Sequence, residues 1–144
     1  MLGFLRRLWS RRSDRDAGGR GERLAADWLR RERRFVIVAR NWRSPRDRRD
    51  EIDLVCRDGD VLVFVEVKAR AAGALVPGYH AIDERKRRVL RRAAESYLAR
   101  LPAKPRTFRF DVVEVTFPAG DPLAALPEIL HFENVPLFAK HFRP

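Results

Sequence analysis

The sequence predicts an α/β fold in which a mixed β-sheet is flanked by helices within a single domain. The clearest element is a helix over Asp83–Arg100, whose apolar residues form one stripe among arginines and lysines. An Asp-Gly pair at Asp58 and Gly59 separates two apolar segments, which is a strong signal for a β-hairpin. The elements follow the order helix, three strands, helix, two strands, and this order favours a mixed sheet covered by helices.

Local patterns place the remaining elements. A first helix is expected over residues 22–34, where apolar residues recur at helical spacing. Polar and Gly- or Pro-containing segments predict loops at Ser44–Asp50 and at 71–80, and Pro102 and Pro105 end the second helix. Runs of apolar and β-branched residues predict strands at Phe35–Ala39, Glu51–Asp58, Val61–Ala69, Thr107–Phe117 and Glu128–Val135.

Length and composition limit the class of protein. A chain of 144 residues with 45% hydrophobic content suits one folded domain. We assign residues 1–17 to a basic, flexible arm and residues 18–144 to the domain. The single cysteine, Cys56, excludes an internal disulfide and a thiolate metal cluster, which fits a reducing, cytoplasmic location. Apolar runs near the start are too short for a membrane span, so we expect no stable membrane association.

Positive charge is concentrated at the start of the chain. The net charge is +11, and residues 1–50 hold sixteen arginines against seven acidic residues. The rest of the chain is nearly neutral, with fifteen basic and thirteen acidic residues. Such an asymmetry indicates a polyanionic partner, because basic side chains steer phosphates and release their counterions. The alternative is a solubilising, arginine-rich surface.

The hairpin brings charged residues together. In an antiparallel pair with a two-residue loop, the numbers of directly opposed residues add up to a constant. A Gly59-Asp60 loop places Asp53 opposite Glu66, whereas an Asp58-Gly59 loop places Glu66 diagonal to it. In both registers Asp53, Glu66 and Lys68 share one face, because strand side chains alternate. The opposite face is then apolar and predicts core: Ile52, Leu54, Cys56, Val61, Val63, Val65 and Val67.

Two carboxylates on adjacent strands repel each other unless a cation lies between them or one is protonated. Their oxygens suit a hard ion such as Mg²⁺ or Mn²⁺, which can polarise a phosphoryl oxygen and activate water. Lys68 would orient that water or stabilise negative charge on the phosphoryl group. The alternative is a cross-strand salt bridge without chemistry, although these charges interrupt an almost wholly apolar strand, where burying ions is costly.

Glu22 is a candidate third ligand. It lies at the margin of the first helix's apolar face, from which a carboxylate could reach the sheet. The alternative is a first-turn glutamate that stabilises the N-terminus of the helix. The histidines His80, His131 and His141 are scattered without ligand spacing, so we do not assign them to a metal site.

Several segments resemble the YraN-like bacterial family. They are Gly21-Glu22, Arg40-Asn41, Glu51-Ile52-Asp53-Leu54, Val63–Arg70, Ala81-Ile82-Asp83 with Lys86, Tyr97-Leu98 and Arg109–Val113. This family is similar to the PD-(D/E)xK nucleases and, among them, to Holliday-junction resolvases. The resemblance implies a restriction-endonuclease-like fold, with Asp53, Glu66 and Lys68 in the D…ExK positions and Glu22 as the helix carboxylate. One departure is Asp50, where the family usually has glycine before Glu-Ile-Asp. Asp50 could hinder the approach of a phosphate or point to solvent.

These observations yield a leading hypothesis and two rivals. The leading hypothesis is a divalent-metal-dependent endonuclease that hydrolyses DNA and is structure-specific, with Asp53, Glu66 and Glu22 as ligands of Mg²⁺ or Mn²⁺. The first rival is a non-catalytic nucleic-acid-binding module that retains the fold, and the second recruits other proteins through its basic helix. For nucleic-acid binding we name Arg40, Arg43, Arg70 and Lys86. The sequence does not decide whether the nucleic acid is DNA or RNA, or whether the protein forms a homodimer.

Overall fold

A single mixed sheet of five strands forms the centre of the computed structural model, which describes residues 18–73, 82–120 and 125–138. The strands are β1 (Val36–Arg43), β2 (Glu51–Asp58), β3 (Val61–Ala71), β4 (Thr107–Phe117) and β5 (Glu128–Phe132). Helix α1 is described over residues 18–32, and helix α2 spans Glu84–Arg100. The predicted α/β class and element order are confirmed. The expected basic arm at 1–17 and most of the 71–80 loop lie outside the described residues.

The strands lie side by side in chain order, β1-β2-β3-β4-β5. β1, β2 and β3 are antiparallel neighbours, β3 and β4 are parallel, and β4 and β5 are antiparallel. Since a parallel pair requires a crossover, α2 connects β3 to β4 across one face of the sheet. The hairpin loop is Gly59-Asp60, with Leu54 opposite Val65 and Asp58 opposite Val61. Gly59 has φ +58°, in the left-handed region that glycine adopts without strain.

Several predicted boundaries differ from the structure, and three of the differences have a clear physical reason. β1 continues past Ala39 to Arg43, because backbone pairing with β2 holds even polar residues in an extended strand. β5 ends at Phe132 rather than Val135: Asn134 has φ 53°, and the Val135 N–H donates to the carbonyl of Phe110. α1 ends at residue 32, since the Phe35 N–H turns back to the carbonyl of Leu29.

The sheet is covered on both faces, which gives two cores. The α1-side core contains Ala25, Ala26 and Leu29 of α1 with apolar residues of β2, β3 and β4, including Leu54, Cys56, Val63 and Val65. The α2-side core contains Leu90, Ala93, Ala94 and Leu98 of α2 with residues that include Val55, Leu62, Phe64 and Val112. Both faces of the central strands are therefore apolar, as is typical of strands buried between helices.

The predicted apolar face is correct except at one position. Leu54, Cys56, Val63 and Val65 pack in the α1-side core, as expected. Ile52 was assigned to the same face, and this was wrong: it packs in the α2-side core with Val55. Strict alternation would put these two residues on opposite faces, so β2 departs from it between Ile52 and Leu54. Asp53 lies at this irregularity.

Cys56 is fully buried in the middle of β2. Burial raises the pKa of its thiol to about 12, which keeps the thiol protonated and unreactive at neutral pH. Among the described residues, no helix is both long and apolar enough to cross a membrane.

Candidate functional site: carboxylates at a split in the sheet

The two central strands separate at one end of the sheet. Pairing of β2 with β3 ends at Leu54 and Val65. Beyond that level, β2 stays paired with β1 as far as Glu51, and β3 stays paired with β4 as far as Ala71. We call the gap between the unpaired parts of β2 and β3 the fork. Side chains from both helices can reach the fork, because the sheet does not separate them there.

Asp53 lies at the start of the fork. Its Oδ2 accepts a hydrogen bond of 2.8 Å from the Val67 N–H, which replaces a main-chain bond that the separating strands no longer form. Burial, followed by repulsion from Glu66 and Glu22, raises the pKa of Asp53 well above its ordinary value. Asp53 is therefore a carboxylate that lacks sufficient positive charge in its surroundings.

Glu66 of β3 is close enough to Asp53 to repel its carboxylate and is 3% exposed. Lys68 Nζ lies 3.2 Å and Lys86 Nζ 3.1 Å from its Oε1 atom. Within the described part of the chain, the other oxygen, Oε2, is buried and has no hydrogen-bond partner. A buried carboxylate oxygen without a donor is costly, so this atom is available to a cation or a donor group of a ligand.

Lys86 was expected to contact nucleic acid from the N-terminal part of α2. Its side chain points into the fork, and Asp83 caps the helix there through the Lys86 N–H; the nucleic-acid role of Lys86 stays a prediction. Burial alone would lower the pKa of Lys86, but attraction to Glu66 and Asp53 raises it above its ordinary value. The site thus holds two ammonium groups beside one glutamate.

Glu22 reaches the same region from α1. Burial, together with repulsion from Glu51 and Glu66, raises its pKa, while a hydrogen bond from the Asn41 side chain opposes this rise. The helix can approach the sheet here because Gly21 lies against Ala69: a Cβ atom on residue 21 would stand only 2.9 Å from the Ala69 Cβ. Asn41 had no assigned role in the sequence analysis, although it belongs to the Arg40-Asn41 segment quoted for the family resemblance.

The donor set can be compared with the needs of a divalent ion. Across residues 18–73, 82–120 and 125–138, no three His, Cys, Asp or Glu side chains are close enough together to enclose a metal. Mg²⁺, however, is commonly held by one or two carboxylates, with waters and substrate phosphates completing its shell. Asp53 and the unpartnered Oε2 of Glu66 meet that smaller requirement. The residues therefore fit such an ion, with Glu22 beside them.

Comparison with known proteins places the chain in a family. The model of the uncharacterised protein family UPF0102 matches residues 21–115, about two thirds of the chain, including every residue of the carboxylate cluster. The chain belongs to the UPF0102 family. The UPF0102 protein of Anaeromyxobacter dehalogenans is 48% identical over 105 residues, covering 73% of this chain and 75% of the relative. That of Geobacter metallireducens is 39% identical over 121 residues, covering 84% and 92%. The YraN-like resemblance is confirmed at this level.

The other residues expected to bind nucleic acid in this UPF0102 protein occupy different surroundings. Arg40 is exposed and lines a cavity of about 270 Å³ beside Glu22. Arg43 Nη2 lies 3.2 Å from Glu51 Oε2. The Arg70 side chain is 15% exposed, and its Nε is 4.0 Å from Glu114 Oε1. Arg40 is therefore the best placed of the three to meet a phosphate, and all three roles stay predictions.

Asp50, which departs from the family's usual glycine, was expected to hinder a phosphate or point to solvent. It does not point to solvent, because it is 5% exposed and forms a bidentate pair with Arg92 of α2, at 2.8 and 3.1 Å; its effect on a phosphate stays a prediction. The same loop is held to α2 by the 2.9 Å contact between the hydroxyls of Ser44 and Ser96. The loop before β2 is thus attached to α2, and Asp50 has a structural role.

A second buried polar cluster lies on the other side of β3, around Asp111 of β4, which is paired with Val65. The fully buried Asp111 carboxylate accepts hydrogen bonds from Arg109, from the Asn134 N–H and from the His131 ring. Burial alone would raise the pKa of Asp111, but these donors outweigh it and lower the pKa. The Asp111 carboxylate already has several donors, which is the character of a structural network, although the buried Nδ1 of His131 has no hydrogen-bond partner among the described residues.

Proposed function

We propose that this chain is a divalent-metal-dependent endonuclease that hydrolyses phosphodiester bonds of DNA and selects its substrate by structure. The observation that carries the proposal is the buried, unpartnered Oε2 of Glu66 in the fork, on a carboxylate that repels Asp53 and is paired with Lys68. The likeness of the YraN-like family to PD-(D/E)xK nucleases supports the same assignment. We place the activity in the bacterial cytoplasm.

In this proposal Asp53 and Glu66 hold Mg²⁺ or Mn²⁺ directly, and Glu22 adds negative charge beside them from α1. Such an ion supplies Lewis-acid polarisation of the scissile phosphate and lowers the pKa of an attacking water. Asp53 suits this role because burial and the neighbouring carboxylates raise its pKa, so a bound cation would stabilise its ionised form. The Val67 N–H fixes the Asp53 carboxylate through Oδ2, so its other oxygen can face the ion.

Lys68 and Lys86 serve charge balance in this proposal. Both ammonium groups contact Glu66 Oε1, so the site has positive charge near the position that a phosphate would occupy. Negative charge on the phosphoryl oxygens is redistributed in the transition state, and a fixed ammonium group beside them stabilises it. Lys68, which extends from β3 two residues after Glu66, is the residue we assign to this role.

The experiment is a cleavage assay on a panel of linear, single-stranded and branched DNAs with Mg²⁺ or Mn²⁺. We expect Lys68→Ala to lower the cleavage rate by roughly a hundredfold or more while DNA affinity stays close to wild type, because its charge acts mainly in the transition state. Lys104→Ala is the matched control, since Lys104 has the same charge. It follows the C-terminal end of α2, where its ammonium group donates to the Leu98 carbonyl.

The control should lose some stability but cut at the wild-type rate while folded. Folded wild-type protein, loaded with either ion, that cuts none of the panel would contradict the proposal. The alternative is a nucleic-acid-binding module, which is favoured by one observation: the two lysines already neutralise Glu66 without an ion. In that case Lys68→Ala should only lower the melting temperature.

A further inference from the structure

Asn41 has an unusual backbone for its position. It lies inside β1, yet its φ is 47°, in the left-handed region that side-chain-bearing residues seldom adopt within a strand. Asparagine tolerates this conformation better than most residues, but it still costs free energy. Such residues persist where the surroundings impose them, and they concentrate at functional sites.

The strand register places Asn41 beside Asp53. Arg40 is paired with Leu54 and Trp42 with Ile52, so Asn41 stands across from Asp53 on the neighbouring strand. In both β1 and β2, the alternation of side chains between the two faces of the sheet is interrupted at this level. Ala39 and Trp42 of β1, three residues apart, pack against the same α2-side core, as do their partners Val55 and Ile52. The left-handed residue therefore coincides with the irregularity that brings Asp53 into the fork.

The Asn41 side chain turns towards the third carboxylate. Its amide lies close enough to the Glu22 carboxylate to oppose the rise in the pKa of that group, so it connects α1 to the β1–β2 pair. Both residues line the same cavity, together with Arg23 and Arg40. Asn41 thus contacts one proposed ligand through its side chain and stands opposite another through its backbone.

We propose that Asn41 is the positioning residue of the carboxylate cluster, orienting Glu22 with its amide and Asp53 with its left-handed backbone. This inference rests on the proposed function. It divides the role of Asn41 into two parts that substitutions can separate. Asn41→Gly keeps a left-handed backbone without strain and removes only the amide, whereas Asn41→Ala removes the amide and strains the backbone.

The test is calorimetric titration of each purified variant with Mn²⁺, together with its thermal melting temperature. We expect Asn41→Gly to melt close to wild type but to bind Mn²⁺ roughly ten- to a hundredfold more weakly, the usual loss when a partner that orients a ligand is removed. Asn41→Ala should bind at least as weakly and also melt at a lower temperature. Asn134→Gly is the matched control: Asn134 also has a left-handed backbone, φ 53°, but lies in the Asp111 cluster. It should bind Mn²⁺ like wild type.

If Asn41→Gly binds Mn²⁺ with wild-type affinity, the inference is overturned, because Asn41 would then contribute only its left-handed backbone. Wild-type protein that binds no Mn²⁺ would overturn the proposed function, and with it the ion-related role of Asn41. A crystal structure of Asn41→Gly separates the two failures. If Asn41 positions Glu22, the glutamate side chain leaves its wild-type rotamer in this variant, whether or not the protein binds an ion. An unchanged rotamer contradicts the inference on its own.

Discussion

At Asp53, one carboxylate loses water, gains a single backbone donor and faces two other carboxylates. The direction in which each of these changes shifts the pKa of Asp53 is known. Burial and like charges favour the protonated form, and the Val67 N–H and Lys86 oppose them. In the absence of a cation, ionised Asp53 therefore destabilises the folded protein.

The pH dependence of stability follows from that shift. Because the folded-state pKa of Asp53 is raised above the unfolded value of about 3.8, its contribution is fully present below that value and is lost as the pH rises through the folded pKa. We expect ion-free Asp53→Asn to melt at a higher temperature than wild type at pH 7 and at the same or a lower temperature at pH 3.5. Melting curves across this pH range measure the difference.

Asp60→Asn is the control for this prediction, since Asp60 is an exposed aspartate in the hairpin loop and the substitution removes the same charge. Asp111 has a lowered pKa, so its stabilisation is lost as the pH falls, in both wild type and variant. Subtracting the pH profile of the melting temperature of Asp53→Asn from that of wild type removes the contribution of Asp111 and leaves that of Asp53. If Asp53→Asn destabilises the protein at neutral pH, Asp53 is a structural partner rather than a carboxylate waiting for a cation.

At the level of elements, the contact between α1 and β3 determines how closely Glu22 approaches the fork. Gly21 is buried, and a Cβ atom at this position would lie 2.9 Å from Ala69 Cβ and 4.0 Å from Val67 Cγ1. Two Cβ atoms do not approach to 2.9 Å, so a side chain at residue 21 must push α1 away from β3. The absence of a side chain at Gly21 is thus a requirement of packing.

We expect Gly21→Ala to lower the free energy of unfolding by about 1–3 kcal/mol through overpacking, partly offset by the better helix propensity of alanine, about 1 kcal/mol. Ala69→Gly alone should also destabilise, because it weakens β3. The double variant regains the space between helix and strand, so it should be more stable than the sum of the single effects predicts. Urea unfolding of the four proteins measures this coupling, and simple additivity would show that the contact does not limit the approach of α1.

The sequence predicts elements more reliably than the details of the site. β2 and β4 have the predicted bounds, because each is a run of strand-forming residues with clear limits. The shared environment of Glu66 and Lys68 follows from alternation alone. The left-handed Asn41, the position of Ile52 and the Asp50–Arg92 pair could not be predicted, since each depends on contacts between segments far apart in the chain.

At the scale of the whole molecule, the net charge of +11 gives a test of nucleic-acid binding. If phosphates are bound, the logarithm of the affinity for duplex DNA should fall linearly with the logarithm of salt concentration, with a slope of about −0.9 per neutralised phosphate. Arg40→Gln should reduce that slope by about one unit, because Arg40 lies beside the carboxylate site. Fluorescence anisotropy at several salt concentrations measures both slopes.

Arg57→Gln is the matched control, since Arg57 is an exposed arginine at the hairpin end of β2, paired with Leu62 and remote from the fork. It removes the same charge, so any general effect of net charge appears in both variants. Equal slopes for the two variants would place the phosphates elsewhere on the molecule. A salt-independent affinity would count against nucleic acid as the partner.

The order of strands in space repeats the order of strands in the chain. Each new strand can therefore join the growing edge of the sheet as soon as synthesis releases it, without passing between strands that are already paired. Glu22, Asp53, Glu66 and Lys68 all belong to the first half of the chain, before α2 and β4 exist. The acidic residues are thus synthesised before Lys86, which reaches them because the chain turns back across the sheet through α2.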